Sequence, residues 1–158
     1  MLEISNYNSS SSTYGLYKKL LSKIQLSKDI NDAQRESLFI KDICNRIEKS
    51  KTVLYVLELD TEIIGLISLS VTSIQDQPSM QVDYIFVSEK YRSKPLKELD
   101  NLKPFKYLIE IAISIAKEIK ETVGLRYIVL SPDTEELIHK YKSLSFKELT
   151  KEWMYLKI

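Results

Sequence analysis

Apolar residues recur along this chain with two periods, and the switches between them predict its elements. Between Tyr14 and about Leu26, Leu16, Leu20, Leu21 and Ile24 fall at helical spacing, and from Ala33 to about Glu48 a second helical stripe carries Leu38, Ile40, Ile43, Cys44 and Ile47. The pattern then shortens. "TVLYVLELDTEIIGLISLSVT" is rich in β-branched and aromatic residues and predicts two strands, 52–59 and 62–72, turning at Asp60-Thr61-Glu62. "MQVDYIFV", 80–87, follows the turn signal "QDQPS" as a third strand. The helical period returns from about Pro104 to Glu121, where Phe105, Leu108, Ile109, Ala112, Ile115, Ala116 and Ile119 line one face. "RYIVLSP" predicts a short strand, "TEELIHKYKSL" a short helix and "FKELTKEWMYLKI" an interrupted closing strand, while "MLEISNY" predicts an opening strand before the polar break "SSSST".

This order, helices, then antiparallel strands, then a strand–helix–strand crossover, predicts one α/β (α+β) domain over residues 1–158 with a mixed, mostly antiparallel sheet flanked by helices. A chain of 158 residues is long enough to bury about two thirds of its unfolded surface in one core.

The 23 basic and 22 acidic side chains leave a formal net charge of +1, which argues against a general nucleic-acid or membrane-surface binder, so any basic surface must be local. One cysteine, Cys44, excludes an intrachain disulfide, and with His139 as the lone histidine no metal site is expected. Cys44 reads as a small core hydrophobe. No apolar run reaches transmembrane length and the N-terminus lacks the pattern of a signal peptide, so a soluble, cytoplasmic protein is expected.

Candidate chemistry concentrates in "VSEKYRSKPLKELDNLKPFKYL", Val87 to Leu108, where a strand hands over to the long helix through a turn carrying Arg92, Lys94, Lys97 and Lys103 but no glycine. Strand-to-helix turns that hold phosphate normally use glycine, because the backbone must approach the anion closely and often at positive φ. Only three glycines occur in the whole chain.

Three stretches resemble the GNAT superfamily of acetyl-CoA-dependent N-acetyltransferases. "LDTEIIGLISL" is similar to its hairpin with a glycine after two aliphatics, here Gly65; "VDYIFVSEKYRSK" resembles its central strand running into the Arg/Gln-x-x-Gly-x-Gly/Ala pyrophosphate motif; "YIVLSPDTEELIHKYKSLSFKEL" resembles the later strand and the helix ending in Tyr-x-x-x-Gly-Phe, with Ser145-Phe146 in place of Gly-Phe. The departures fall in the motif: Pro95 and Lys97 stand at its glycine positions, and Leu108-Ile109 arrive about eight residues late relative to the superfamily pattern. The resemblance implies that acetyl-CoA is held by Phe86 and Val87 along the pantetheine arm and by Arg92, Ser93, Lys94, Lys97 and Lys103 around the pyrophosphate. Pro104 suits a first helical position, which would put Lys103 and Lys106 beside the helix's positive end.

The same resemblance implies transfer of the acetyl group to a primary amine by direct attack, without a metal. Tyr141 is the candidate to protonate the leaving thiolate, since a phenol of reference pKa about 10 can give a proton to a thiolate whose thiol has a reference pKa of about 8.5. Asp83 and Glu62 are the candidate carboxylates for a base, alongside a water relay or no protein base. The acceptor stays open among small molecules, peptides and aminoacyl groups, and the resemblance assigns its selection to residues 14–50. "GLRYIVL…EELIHKYKSLSF" also resembles toxin members that acetylate aminoacyl-tRNA, which keeps a tRNA acceptor as an alternative; no other nucleic-acid partner is expected. A binding or regulatory module without catalysis is the alternative of a different class, motivated by the missing glycines. The apolar closing strand "WMYLKI" is suited to pair across a homodimer.

Overall fold

A computed structural model describes all residues, Met1 to Ile158. The elements, in order, are β1 (Leu2–Tyr7), α1 (Leu16–Lys23), α2 (Ile30–Glu48), β2 (Val53–Leu59), β3 (Glu62–Ile74), β4 (Gln77–Val87), α3 (Pro104–Thr122), β5 (Tyr127–Leu130), α4 (Glu135–Ser143), β6 (Lys147–Glu148) and β7 (Met154–Lys157). Seven strands form a mixed sheet in the order β1-β2-β3-β4-β5-β7-β6. Its one parallel register joins Ser79–Gln81 to Tyr127–Val129, and β1–β2, β2–β3, β5–β7 and β6–β7 are antiparallel. The α+β class expected from the periodicity is therefore present. No helix is long and apolar enough to cross a membrane.

The chain divides into two compact units. The first, residues 1–69 with 84–108, packs Leu16 and Leu20 of α1 and Ile40, Ile43, Cys44 and Ile47 of α2 with Leu54, Val56, Ile63, Leu66 and Phe86 from the strands. The helix residues among these are ones that the helical stripes put on one face. The helix α1 is shorter than the Tyr14–Leu26 expected from the stripe, because Gly15 at φ 69 sets its start and the chain is already extended at Ile24. The helix α2 begins where the Asp29 carboxylate accepts from Asp32 N, an N-cap that precedes the apolar stripe.

The second unit, residues 70–83 with 109–158, buries Ala112, Ala116, Ile128, Val129, Leu130, Tyr141, Phe146 and Met154. Here β3 and β4 run longer than expected, to Ile74 and from Gln77, because Gln75 and Asp76 both take left-handed φ, 50 and 61, and close a two-residue turn. The closing segment is interrupted, as its sequence suggested, into β6 and β7.

Candidate functional site

The loop after β4 starts from a fixed point. Ser88, 1 % exposed, donates its N–H to Ile64 O at 2.8 Å and its hydroxyl to Ile63 O at 2.6 Å. A single 3₁₀ turn, Glu89–Tyr91, follows, and then the backbone reverses at Ser93 with φ 63. The extra residues fold on themselves: Leu96 N donates to Leu102 O at 3.1 Å, Leu96 O accepts from Asn101 N at 2.9 Å, and Leu99 between them is 0 % exposed. Asp100 and Asn101 make the return at φ 56 and 63. Short polar residues, which tolerate the left-handed region better than most non-glycines, thus do the turning that glycine does elsewhere. Neither Pro95 nor Lys97, which stand at the motif's glycine positions, is one of these turning residues.

The candidate cations Lys94, Lys97 and Lys103 all lie exposed in this loop, together with Ser93. The helix α3 opens at Pro104, and its ladder begins with Tyr107 N donating to Lys103 O at 3.0 Å. Lys103 and Lys106 therefore stand at the helix end whose dipole is positive and whose first-turn amides lack intrahelical acceptors.

Arg92 is placed differently from the sequence expectation. Its guanidinium points inward, with Nε donating to Val87 O at 2.8 Å, one terminal nitrogen to Ser27 Oγ at 2.6 Å and to Glu89 at 2.8 Å, and the other to Glu36 at 3.1 Å. It also lies over the Phe86 ring, 5.5 Å from the centroid. Two carboxylates already face it, so its charge is compensated within the fold.

Phe86 and Val87 end β4 and are 4 % and 8 % exposed. A β-carbon at Gly65 would meet Phe86 O at 2.7 Å and Leu108 Cδ1 at 3.0 Å. The hairpin glycine is thus a packing requirement of β3 against the end of β4.

In the second unit Tyr141 sits on α4, whose start is fixed by Thr134 accepting from Leu137 N at 3.1 Å. Tyr141 is 3 % exposed and packs edge-on to Phe146 at 5.4 Å. Its carbonyl accepts from Leu144 N and Phe146 N, both at 3.0 Å, and Ser145 between them takes φ 75. Serine therefore adopts the left-handed conformation that the glycine of Tyr-x-x-x-Gly-Phe would supply. Burial, followed by the Asp133 charge, pushes the Tyr141 phenol well above its ordinary range, so it holds its proton. Asp83, half-buried on β4, accepts the Ser70 hydroxyl from β3 at 2.9 Å. His139 is exposed on α4.

Glu62 does not suit the base role. Lys90 Nζ lies 2.5 Å from its carboxylate and Tyr91 donates to it at 2.6 Å, and these hydrogen bonds, Lys90's foremost, hold its pKa below the usual carboxylate value. The three line a cavity of about 360 Å³ with Ile24, Gln25 and Ser88. Nothing in the sequence marks this cavity, because its walls come from three separate stretches and carry no repeated spacing.

No protein-family model matches the sequence, and no curated protein matches it. Solved structures do match the fold. A Tyr→Phe mutant of the AtaT toxin bound to the C-terminus of the antitoxin AtaR superposes with a TM-score of 0.77 at 13 % identity, covering 99 % of this chain and 92 % of that one. AtaTR bound with acetyl-CoA gives 0.76 at 13 % identity over 99 % and 92 %, and AtaT complexed with acetyl-methionyl-tRNAfMet gives 0.71 at 12 % over 99 % and 95 %. The chain thus has the fold of these AtaT toxin structures.

Proposed function

We propose that this protein is an acetyl-CoA-dependent N-acetyltransferase whose acceptor is the amino group of an aminoacyl-tRNA. The observation that carries the reading is the match of 99 % of the chain to toxin structures, of which one is bound with acetyl-CoA and another complexed with an acetylated aminoacyl-tRNA. The residues present fit a phosphate-bearing coenzyme. Lys94, Lys97 and Lys103 offer exposed cations, Ser93 provides a left-handed turn, and α3 opens beside them. Phe86 and Val87 are the proposed wall for the pantetheine arm. Acetyl-CoA supplies the activated thioester carbon.

The acceptor amine attacks that carbon in its neutral form; a C–N bond forms, the C–S bond breaks, and the amine's proton passes to water. Tyr141, kept protonated by burial, donates its hydroxyl proton or a hydrogen bond to the departing sulfur and recovers its proton from solvent. Asp83, already accepting from Ser70, is the proposed residue for ordering the water that takes the proton.

A second reading, a GNAT-fold binding or regulatory module without catalysis, is favoured by one observation, the inward commitment of Arg92. Calorimetry with acetyl-CoA, paired with transfer of labelled acetyl groups to a pool of aminoacylated tRNA, separates the two. Micromolar coenzyme binding and labelled tRNA support the enzyme; no binding at millimolar coenzyme refutes it. Charge reversal of Lys94, Lys97 and Lys103 together should weaken binding at least about tenfold, and more at low ionic strength, if they face the phosphates.

A further inference from the structure

We propose that Arg92 is a positioning residue, which acts by clamping the α1–α2 connection to the last peptide of β4. The proposal rests on the acetyltransferase reading and assigns to Arg92 a role other than phosphate binding.

The clamp has two halves. In the first, the guanidinium bridges the Val87 carbonyl to Ser27 Oγ and to the Glu36 carboxylate, at 2.8, 2.6 and 3.1 Å. Glu36 is itself tied back to the connection, since it accepts from Ser27 N at 2.9 Å and from Ser27 Oγ at 2.5 Å. Arg92, Ser27 and Glu36 therefore form a closed ring of charge-assisted bonds. In the second half, Gln25 works beside the ring: its N–H donates to Ser88 Oγ at 3.2 Å, its carbonyl accepts from Glu89 N at 2.9 Å, and its side-chain oxygen accepts from Lys90 N at 2.9 Å. Residues 25–27 and 87–92 are thus joined by hydrogen bonds on both of their backbones.

Two features point to positioning rather than bulk stability. Arg92 and Glu36 side chains keep 32 % and 15 % of their surface, so the pair is not core packing. The ring also ends on Val87 O, and this peptide closes the strand whose end is the proposed wall for the pantetheine arm and opens the loop proposed to hold the phosphates. Small displacements of such a peptide act on rate more than on affinity, since about 1 Å of misplacement can lower turnover about a hundredfold. A fork of directed donors is needed for this, which lysine, as a point charge, lacks.

The test compares Arg92→Lys, Arg92→Gln, Glu36→Gln and the Arg92→Gln/Glu36→Gln double variant with the wild type. Measured on aminoacylated tRNA with labelled acetyl-CoA, kcat is expected to fall about tenfold or more in each single variant, with acetyl-CoA Kd within about twofold and melting temperature nearly unchanged. The double variant is expected to be no worse than the single ones, because both substitutions break one ring. If Arg92 contacts a phosphate instead, Arg92→Gln weakens acetyl-CoA about tenfold, Arg92→Lys retains it and Glu36→Gln tightens it, and the proposal fails. Should the wild type bind no acetyl-CoA, the acetyltransferase reading falls on that result alone. The clamp is then judged by hydrogen exchange at the Gln25, Ser27 and Lys90 amides: equal, non-additive deprotection in the three glutamine variants upholds it, and unchanged exchange overturns it.

Discussion

The carbonyl oxygen of Phe86 lies 2.7 Å from the point where a side chain at Gly65 would begin. Real β-carbons do not approach a backbone oxygen that closely, so any larger residue must push β3 away from the end of β4. Leu108, 3.0 Å from the same point and 0 % exposed, closes the other side. Gly65→Ala is therefore expected to destabilise the fold by about 1–3 kcal/mol, as overpacking of a filled core does. A urea melt would show this as a lowered midpoint with an unchanged slope. An unaltered midpoint would mean that β4 can yield here at no cost.

Tyr141 is expected to matter for turnover and little for coenzyme affinity. Tyr141→Phe removes one hydroxyl and leaves the ring and its edge-on contact with Phe146. If the phenol serves the leaving sulfur, kcat should fall about a hundredfold or more while acetyl-CoA Kd moves less than about twofold. Unchanged kcat would reduce Tyr141 to a packed aromatic. Because burial and Asp133 raise its pKa, the native phenol stays protonated through the alkaline range where an ordinary tyrosine ionises, at about 10. The alkaline limb of the kcat profile should accordingly carry no loss from Tyr141 below about pH 10. For stability the sign is the same: its contribution is complete below the unfolded pKa and is lost only as pH rises beyond it.

Most of the fold was legible because each element carried its own period. The stripe over residues 104–121 named a helix that begins at Pro104, and the β-branched and aromatic content of 52–72 named a hairpin turning at Asp60-Thr61-Glu62, where Asp60 and Thr61 make the turn. The turns were harder. Glycine is the sequence sign of positive φ, and this chain instead places Ser93, Asp100, Asn101 and Ser145 there, so the loop could be seen to lack glycine but not to turn without it. The site was legible as a set of residue types and not as a set of directions. Arg92 stands at the first position of a phosphate motif, yet where its guanidinium points depends on Ser27 and Glu36, 65 and 56 residues away. No local pattern reports such a partnership. Glu62 was obscured in the same way by Lys90 and Tyr91.

The β2–β3 turn offers a stabilising change. Asp60 and Thr61 hold φ 49 and 73, the doubly left-handed pattern that two-residue hairpins need and that Asn-Gly satisfies best. A β-branched residue at positive φ carries strain of about 1–2 kcal/mol, whereas glycine in its place adds about 0.5–1 kcal/mol of chain entropy to lose. Thr61→Gly should then stabilise by roughly 0.5–1 kcal/mol on those two figures, raising the melting temperature by a few degrees in a domain of this size. A lower melting temperature would show that Thr61 is not strained there.

Cys44 should behave as core and not as a reagent. It is 7 % exposed among Ile40, Ile43 and Ile47 on the inner face of α2, and burial, with a smaller contribution from Glu48, pushes its thiol up to about 11. At pH 8 the thiolate, the reactive form, is scarce, so alkylation of the native protein should be slow and should accelerate sharply in urea. The linkage follows from the raised value: the thiol's contribution to stability is fully present below the ordinary pKa of 9.0 and is lost as pH climbs toward about 11. Other groups also titrate in that window, so the comparison is with Cys44→Ala, which keeps the helix and removes the thiol. Between pH 9.0 and about 11 the wild type should lose unfolding free energy more steeply than the variant, and parallel curves would place the thiol in contact with water.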